Sequence, residues 1–77
     1  MDEVMKLMVP KIAELCGKTA AEITPDTKLM EDLGMKSPTM VILISYLEDE
    51  LEVDIDFMKF RRHQTVADAA SYVAAQM

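Results

Sequence analysis

The stretch Glu31-Asp32-Leu33-Gly34-Met35-Lys36-Ser37-Pro38, residues 31–38, decides how this 77-residue chain is read. Ser is a preferred N-cap, and Pro is favoured at the first helical position, where its missing N–H costs nothing. Ser37-Pro38 therefore announces a helix. Apolar residues recur behind it at Met40, Val41, Ile44, Leu47 and Leu51, which the helical repeat reads as one buried face. Ile42, Ser45, Tyr46 and Asp49 fall on the opposite side. The helix is expected to run through Glu52 or nearby. Glu48, Asp49, Glu50 and Glu52 crowd its C-terminal end, against the helix dipole, at roughly a few tenths of a kcal/mol each. A chain that tolerates this arrangement has another use for those charges.

Upstream, residues 18–36 lack helical periodicity over most of their length. Thr24-Pro25-Asp26 is a turn signal, with Pro25 restraining Thr24 to extended geometry. Ile23, Leu29 and Leu33 are spaced as apolar anchors, and Leu33-Gly34 reads as a tight turn. A loop of this length in so short a chain points to function. Before it, Val4, Leu7, Met8, Ile12 and Leu15 form one stripe of an amphipathic helix over residues 2–16. Asp2 is the expected cap and Gly17 the expected stop. Pro10 deletes a backbone donor and crowds the preceding turn, so a kink or a frayed first half is expected there.

Downstream, residues 56–62 read as a short helix with Asp56 as its cap. Thr65-Val66-Ala67-Asp68 has the form of a capping box with Asp in place of Glu. It opens a last helix whose inward face is Val66, Ala69 or Ala70, and Val73. The expected fold is all-α: three main helices plus one short helix, a long loop after the first, and one domain over residues 1–77.

Fourteen acids against eight bases give a formal net charge of −6. Six of the nine residues from Glu48 to Asp56 are acidic, and none of the nine is basic. Phosphate backbones are repelled by such a segment, which argues against nucleic acid and for a basic protein surface as its partner. The plain alternative is a solvated helix end. Lys59, Arg61 and Arg62 make the one basic cluster, too short for a nucleic-acid patch. The opening MDEVMKLMVPKIAEL has no basic start and no apolar run of the signal-peptide kind, and no stretch approaches the roughly 20 apolar residues of a membrane span. With one cysteine, Cys16, the expectation is a cytoplasmic protein with no membrane attachment and no internal disulfide. The eight methionines are scattered, and most read as core filler.

No catalytic or metal-binding constellation is visible. His63 and Cys16 are each the only residue of their kind and lie in different segments, whereas a metal site needs three or four ligands. His63 reads as a surface residue beside the basic cluster, and Cys16 as a small buried hydrophobe. Ser37 stands at the junction of the long loop and a helix start. Its hydroxyl can serve as an N-cap, worth about 1 kcal/mol. Capping is the reading these two residues favour by themselves, and a phosphate ester on the hydroxyl is physically reasonable, because the start of a helix favours negative charge.

These residues, in this order, resemble the acyl carrier protein family. The resemblance rests on Glu31-Asp32-Leu33-Gly34-Met35-Lys36-Ser37, then a helix ending Leu47-Glu48-Asp49-Glu50-Leu51. Ile23, Val53-Asp54-Ile55 and Thr65-Val66-Ala67-Asp68 extend it over essentially the whole chain. It implies a non-catalytic shuttle whose Ser37 receives 4′-phosphopantetheine from coenzyme A, through a magnesium-using phosphopantetheinyl transferase. A monomer is the default expectation, with weak self-association through Ile42 as the alternative. Acyl groups would ride on the arm as thioesters, for fatty-acid-like or secondary-metabolite biosynthesis. The implied partners are acyl-transferring and chain-extending enzymes with basic docking surfaces, and Ile42, Tyr46, Glu48, Asp49 and Glu52 are the expected docking residues. The chain departs from the family pattern beside the serine: Lys36 replaces Asp, Pro38 replaces Leu, and Thr39 and Ile42 replace outward acids. Those changes imply a specialised partner set. They also feed a rival reading, an interaction module that keeps the carrier fold without the prosthetic group.

Overall fold

The computed structural model describes residues 2–77, with side chains from residue 3 onward. The first helix, α1 (Asp2–Cys16), buries Val4, Met8, Ile12 and Ala13, with Leu7 and Leu15 half-buried beside them. The expected cap rests on the Asp2 side chain, which lies outside the described residues. Pro10 neither breaks the helix nor frays its first half. Its ring sits on the exposed side, while the stripe through Val4, Met8 and Ile12 keeps both halves on the core. At the other end Gly17 adopts φ +68°, and the Lys18 N–H donates to the Ala13 carbonyl at 2.9 Å. That six-to-one bond closes a Schellman end, which needs a left-handed residue at this point.

The loop that follows contains one element absent from the sequence reading, a single 3₁₀ turn at Ala20–Glu22. Ile23 and Leu29 are buried anchors, and Leu33 is half-buried against the core. Thr24 and Thr27 lock the turn at Pro25: the Thr24 N–H donates to Thr27 Oγ1 at 2.8 Å, and the Thr27 N–H to the Thr24 carbonyl at 3.0 Å. An isolated antiparallel bridge joins Lys28 to Thr65.

Helix α2 (Ser37–Leu51) buries Met40, Leu43, Ile44 and Leu47, with Leu51 half-buried. Val41, expected inside, is 49% exposed, and Leu43 takes its place. At about 100° per residue, Val41 lies about 100° from Met40 and Leu43 only about 60° to the other side, so the core claims Leu43. Tyr46, expected outside, packs half-buried against the core, with the Lys11 ammonium 5.0 Å from its ring centre. The helix stops at Glu52, in a left-handed conformation with φ 54°.

Two helices complete the bundle, α3 (Phe57–Arg61) and α4 (Val66–Ala75). Asp56 caps α3, its carboxylate accepting from the Lys59 N–H at 3.2 Å. Phe60 fills the core from α3, and Val66, Ala69, Ala70 and Val73 from α4, so both candidate alanines are buried. α1 packs on α2 and on α4, and α3 touches both α2 and α4. Of the methionines, Met8, Met35 and Met40 are core filler and Met5 packs half-buried against the core, while Met30, Met58 and Met77 are more than half exposed. Among the described residues no helix is long and apolar enough to cross a membrane.

Candidate functional site

The end of the long loop is built to present Ser37. Gly34 turns the chain at φ +64°, with its N–H donating to the Met30 carbonyl at 3.0 Å. The Met35 N–H then donates to the Leu29 carbonyl at 3.1 Å, and the buried Met35 side chain ties the turn to the core. Lys36 follows in extended geometry, φ −108° and ψ 171°, and is the true N-cap residue. Its carbonyl accepts the first helical bond, from the Met40 N–H at 2.9 Å. Ser37 is thus the first helical residue and not the cap expected of it, and Pro38 sits second. Pro is tolerated there for the same reason as at the first position, since neither N–H has an intrahelical partner.

The consequence for the serine is direct. Its residue is exposed, and among the described residues its hydroxyl makes no hydrogen bond. The N–H groups of Ser37 and Thr39 likewise find no partner among the described residues, and Pro38 has none to offer. No acid lies in the first turn, and no side chain caps it. The exposed Lys36 adds a cation to the positive end of the helix dipole. A free hydroxyl beside unsatisfied donors and a lysine suits a phosphodiester bonded through that oxygen. The residues present therefore fit a phosphate-linked prosthetic group.

The remaining candidates are spread along α2. Ile42, 50% exposed, lies in the second turn beside the exposed Val41 and gives the serine end an apolar flank. Asp49 and Glu52 are exposed at the far end, with Asp49 about 18 Å from Ser37 at 1.5 Å per residue. Glu48 is half-buried, and its carboxylate accepts the Ile55 N–H at 3.0 Å, which fastens the chain after α2 back onto the helix. The acids and the serine are thus two separate regions.

Burial pushes the Cys16 thiol above its ordinary value of 9.0, with Lys18 pulling weakly the other way. The cysteine is half-buried against the core, close to its expected role. His63 is half-buried, its ring stacked on Tyr72 at 5.1 Å, and not the plain surface residue expected. Among the described residues no group of three or more His, Cys, Asp or Glu could hold a metal ion. Sequence reasoning missed a groove where Lys28, Met30 and Glu31 of the loop face Arg61, Arg62 and His63. The basic cluster was a visible signal. The long-range contact that completes the groove had none.

Two comparisons bear on this site. A family model described as a phosphopantetheine attachment site matches residues 7–73. An acyl carrier protein of Exiguobacterium sibiricum is 38% identical over 66 residues, which cover 86% of this chain and 84% of that protein.

Proposed function

The chain belongs to the acyl carrier protein family of phosphopantetheine carriers, and from that premise we propose that Ser37 is the residue that bears the arm. The protein is a carrier and not an enzyme, and its prosthetic group is 4′-phosphopantetheine. It works with a phosphopantetheinyl transferase and with acyl-handling enzymes. When bound, the arm supplies a terminal thiol that holds acyl groups as thioesters.

One observation carries the assignment to Ser37: an exposed hydroxyl without a hydrogen-bond partner among the described residues, at a helix start with two unused backbone donors. Ser37 orients the ester bond outward, and Lys36 with the Ser37 and Thr39 N–H groups offsets the phosphate charge. The departures at 36 and 38 lose their force against modification. Pro38 preserves the helix start, and the exposed Lys36 adds a positive charge one residue before Ser37.

The finer reading is one carrier domain over residues 1–77, monomeric, serving fatty-acid-like or secondary-metabolite biosynthesis. Ile42 would meet an apolar patch of the partner near the serine. Asp49 and Glu52, with the outer edge of Glu48, would meet basic groups farther down, and Tyr46 would act from the rim of the helix–core seam. Charge complementarity of this kind governs encounter rate and partner choice more than raw affinity.

The test is an intact mass after incubation with coenzyme A, magnesium and a broad-specificity phosphopantetheinyl transferase, wild type beside Ser37→Ala. The expected result is a gain of one phosphopantetheine group in wild type alone. An equal gain in the variant would move the arm to another residue. No gain in wild type, with a transferase from the native host as well, would leave the unmodified interaction module as the function.

A further inference from the structure

Arg61, the last residue of α3, and Arg62 just past it stand opposite the loop that leads to Ser37. Arg61, Arg62, His63 and Gln64 form one wall of an open groove of about 210 Å³, and Lys28, Met30 and Glu31 form the other. Glu31 is the only carboxylate in these walls, and the Lys28 ammonium already engages it at 3.3 Å. Among the described residues neither arginine has an acidic partner. Arg61 lies over the Phe57 ring at 5.9 Å, and the Arg62 side chain makes no hydrogen bond or ion pair. In a chain with fourteen acids and eight bases, two neighbouring guanidiniums without carboxylates are a notable surplus of positive charge.

Hydrogen bonds place this groove near the attachment residue. The Leu29 N–H donates to the Gln64 carbonyl at 2.8 Å, and the Leu29 carbonyl accepts from the Met35 N–H at 3.1 Å. Ser37 lies two residues past Met35, at most about 7 Å of extended chain. A pantetheine arm is comparable in length with the shortest extent of the domain, 18 Å, so its tip reaches the groove.

We propose that the groove is an anion subsite for cargo, taking the terminal carboxylate of a dicarboxylic acyl group carried on the Ser37 arm. The proposal rests on the reading of Ser37 as the attachment residue. Planar guanidiniums bind carboxylates with two parallel hydrogen bonds, and Arg62 is free to do so. Met30, 51% exposed, offers an apolar wall to the methylenes that precede the carboxylate. A concave site of this volume suits a small acid group better than the broad face of a protein partner, which is the other anion such cations would attract.

The experiment compares ¹⁵N-labelled protein loaded with an S-glutaryl arm and with an S-pentanoyl arm, which has the same chain length without the terminal carboxylate. The amide signals of residues 28–31 and 61–64 are expected to move with the glutaryl arm only. The double variant Arg61→Gln/Arg62→Gln should abolish that difference. Lys59→Gln, a charge loss on α3 outside the groove, should leave it intact. Identical shifts with both cargoes, or none in these residues, would overturn the proposal. Failure of loading, read by mass, would count against Ser37 alone. The groove is then tested on unmodified protein by titration with S-glutaryl- and S-pentanoyl-pantetheine. The glutaryl compound should bind about tenfold more tightly, and equal affinity would overturn the proposal. If only a poly-glutamate peptide moves the same signals, the groove belongs to an acidic protein partner and the cargo assignment falls.

Discussion

At the start of α4 every early backbone donor is held: the Val66 N–H by the Thr27 carbonyl at 2.9 Å, the Ala67 N–H by the Pro25 carbonyl at 2.9 Å, and the Asp68 N–H by Thr65 Oγ1 at 3.1 Å. At the start of α2 the Ser37 and Thr39 N–H groups hold nothing among the described residues, and a hydroxyl beside them is left free. Both starts follow a loop, and both carry a hydroxyl residue at the junction. The difference is one of register. Thr65 stands one residue before its helix, where Oγ1 reaches the third helical N–H, whereas Ser37 is already inside its helix. A structural start satisfies its donors internally. The start proposed to bear the arm leaves its donors open.

That contrast breaks most easily at the caps. Thr65→Ala should cost about 1 kcal/mol, lowering the melting temperature by about 4–8 °C in a domain of this size. Ser37→Ala, on unmodified protein, should stay within about 0.5 kcal/mol of wild type. Equal losses in the two variants would show that Ser37 caps its helix after all. Glu48 extends the comparison to the other end of α2. Because its carboxylate holds the Ile55 N–H, Glu48→Ala should cost roughly 0.5–1.5 kcal/mol in urea denaturation of the isolated protein. A residue used only for docking would show no such loss, and Glu48→Gln, which keeps an acceptor, should recover part of it.

A gain is expected where a cap is built. Lys36→Asp puts a carboxylate at the N-cap position, within reach of the free Thr39 N–H and against the positive helix end. It should stabilise the unmodified protein by about 0.5–1 kcal/mol. No gain would mean that Thr39 is already satisfied, and the contrast between the two starts would lose its basis.

The three-plus-one helix pattern was legible because each helix has an apolar stripe and a punctuating residue: Gly17, Ser37-Pro38, Asp56, Thr65. Where the reading failed, the deciding partner lay outside the local window. Ser is a good cap in general, yet the first bond of α2 closes on the Lys36 carbonyl, which moves the boundary one residue upstream. Val41 and Leu43 are both apolar neighbours of the stripe, and only the packing of α1 and α3 against α2 selects between them. Glu48 reads as a solvated acid until the turn at Glu52 brings Ile55 back to it. The groove depends on the bond from Leu29 to Gln64, residues in separate segments that no periodicity connects.

The smallest effect concerns which thiol of the carrier reacts. Cys16 closes α1 half-buried, and burial raises its thiol above the ordinary 9.0 despite the opposing pull of Lys18. A thiol raised in the folded state loses its proton first in the unfolded chain. Its contribution to stability is therefore fully present below the unfolded value and declines as pH rises through it toward the folded one. The melting temperature of wild type relative to Cys16→Ala should hold constant well below pH 9.0 and fall modestly as the pH is raised past it. A difference that stays flat over that range would mean the thiol is as solvated folded as unfolded. The same protonation keeps Cys16 a sluggish nucleophile at neutral pH. In protein bearing the arm, limiting iodoacetamide at pH 7.5 should accordingly label the arm's flexible thiol before Cys16, and the reverse order would mean that burial does not hold the Cys16 thiol back.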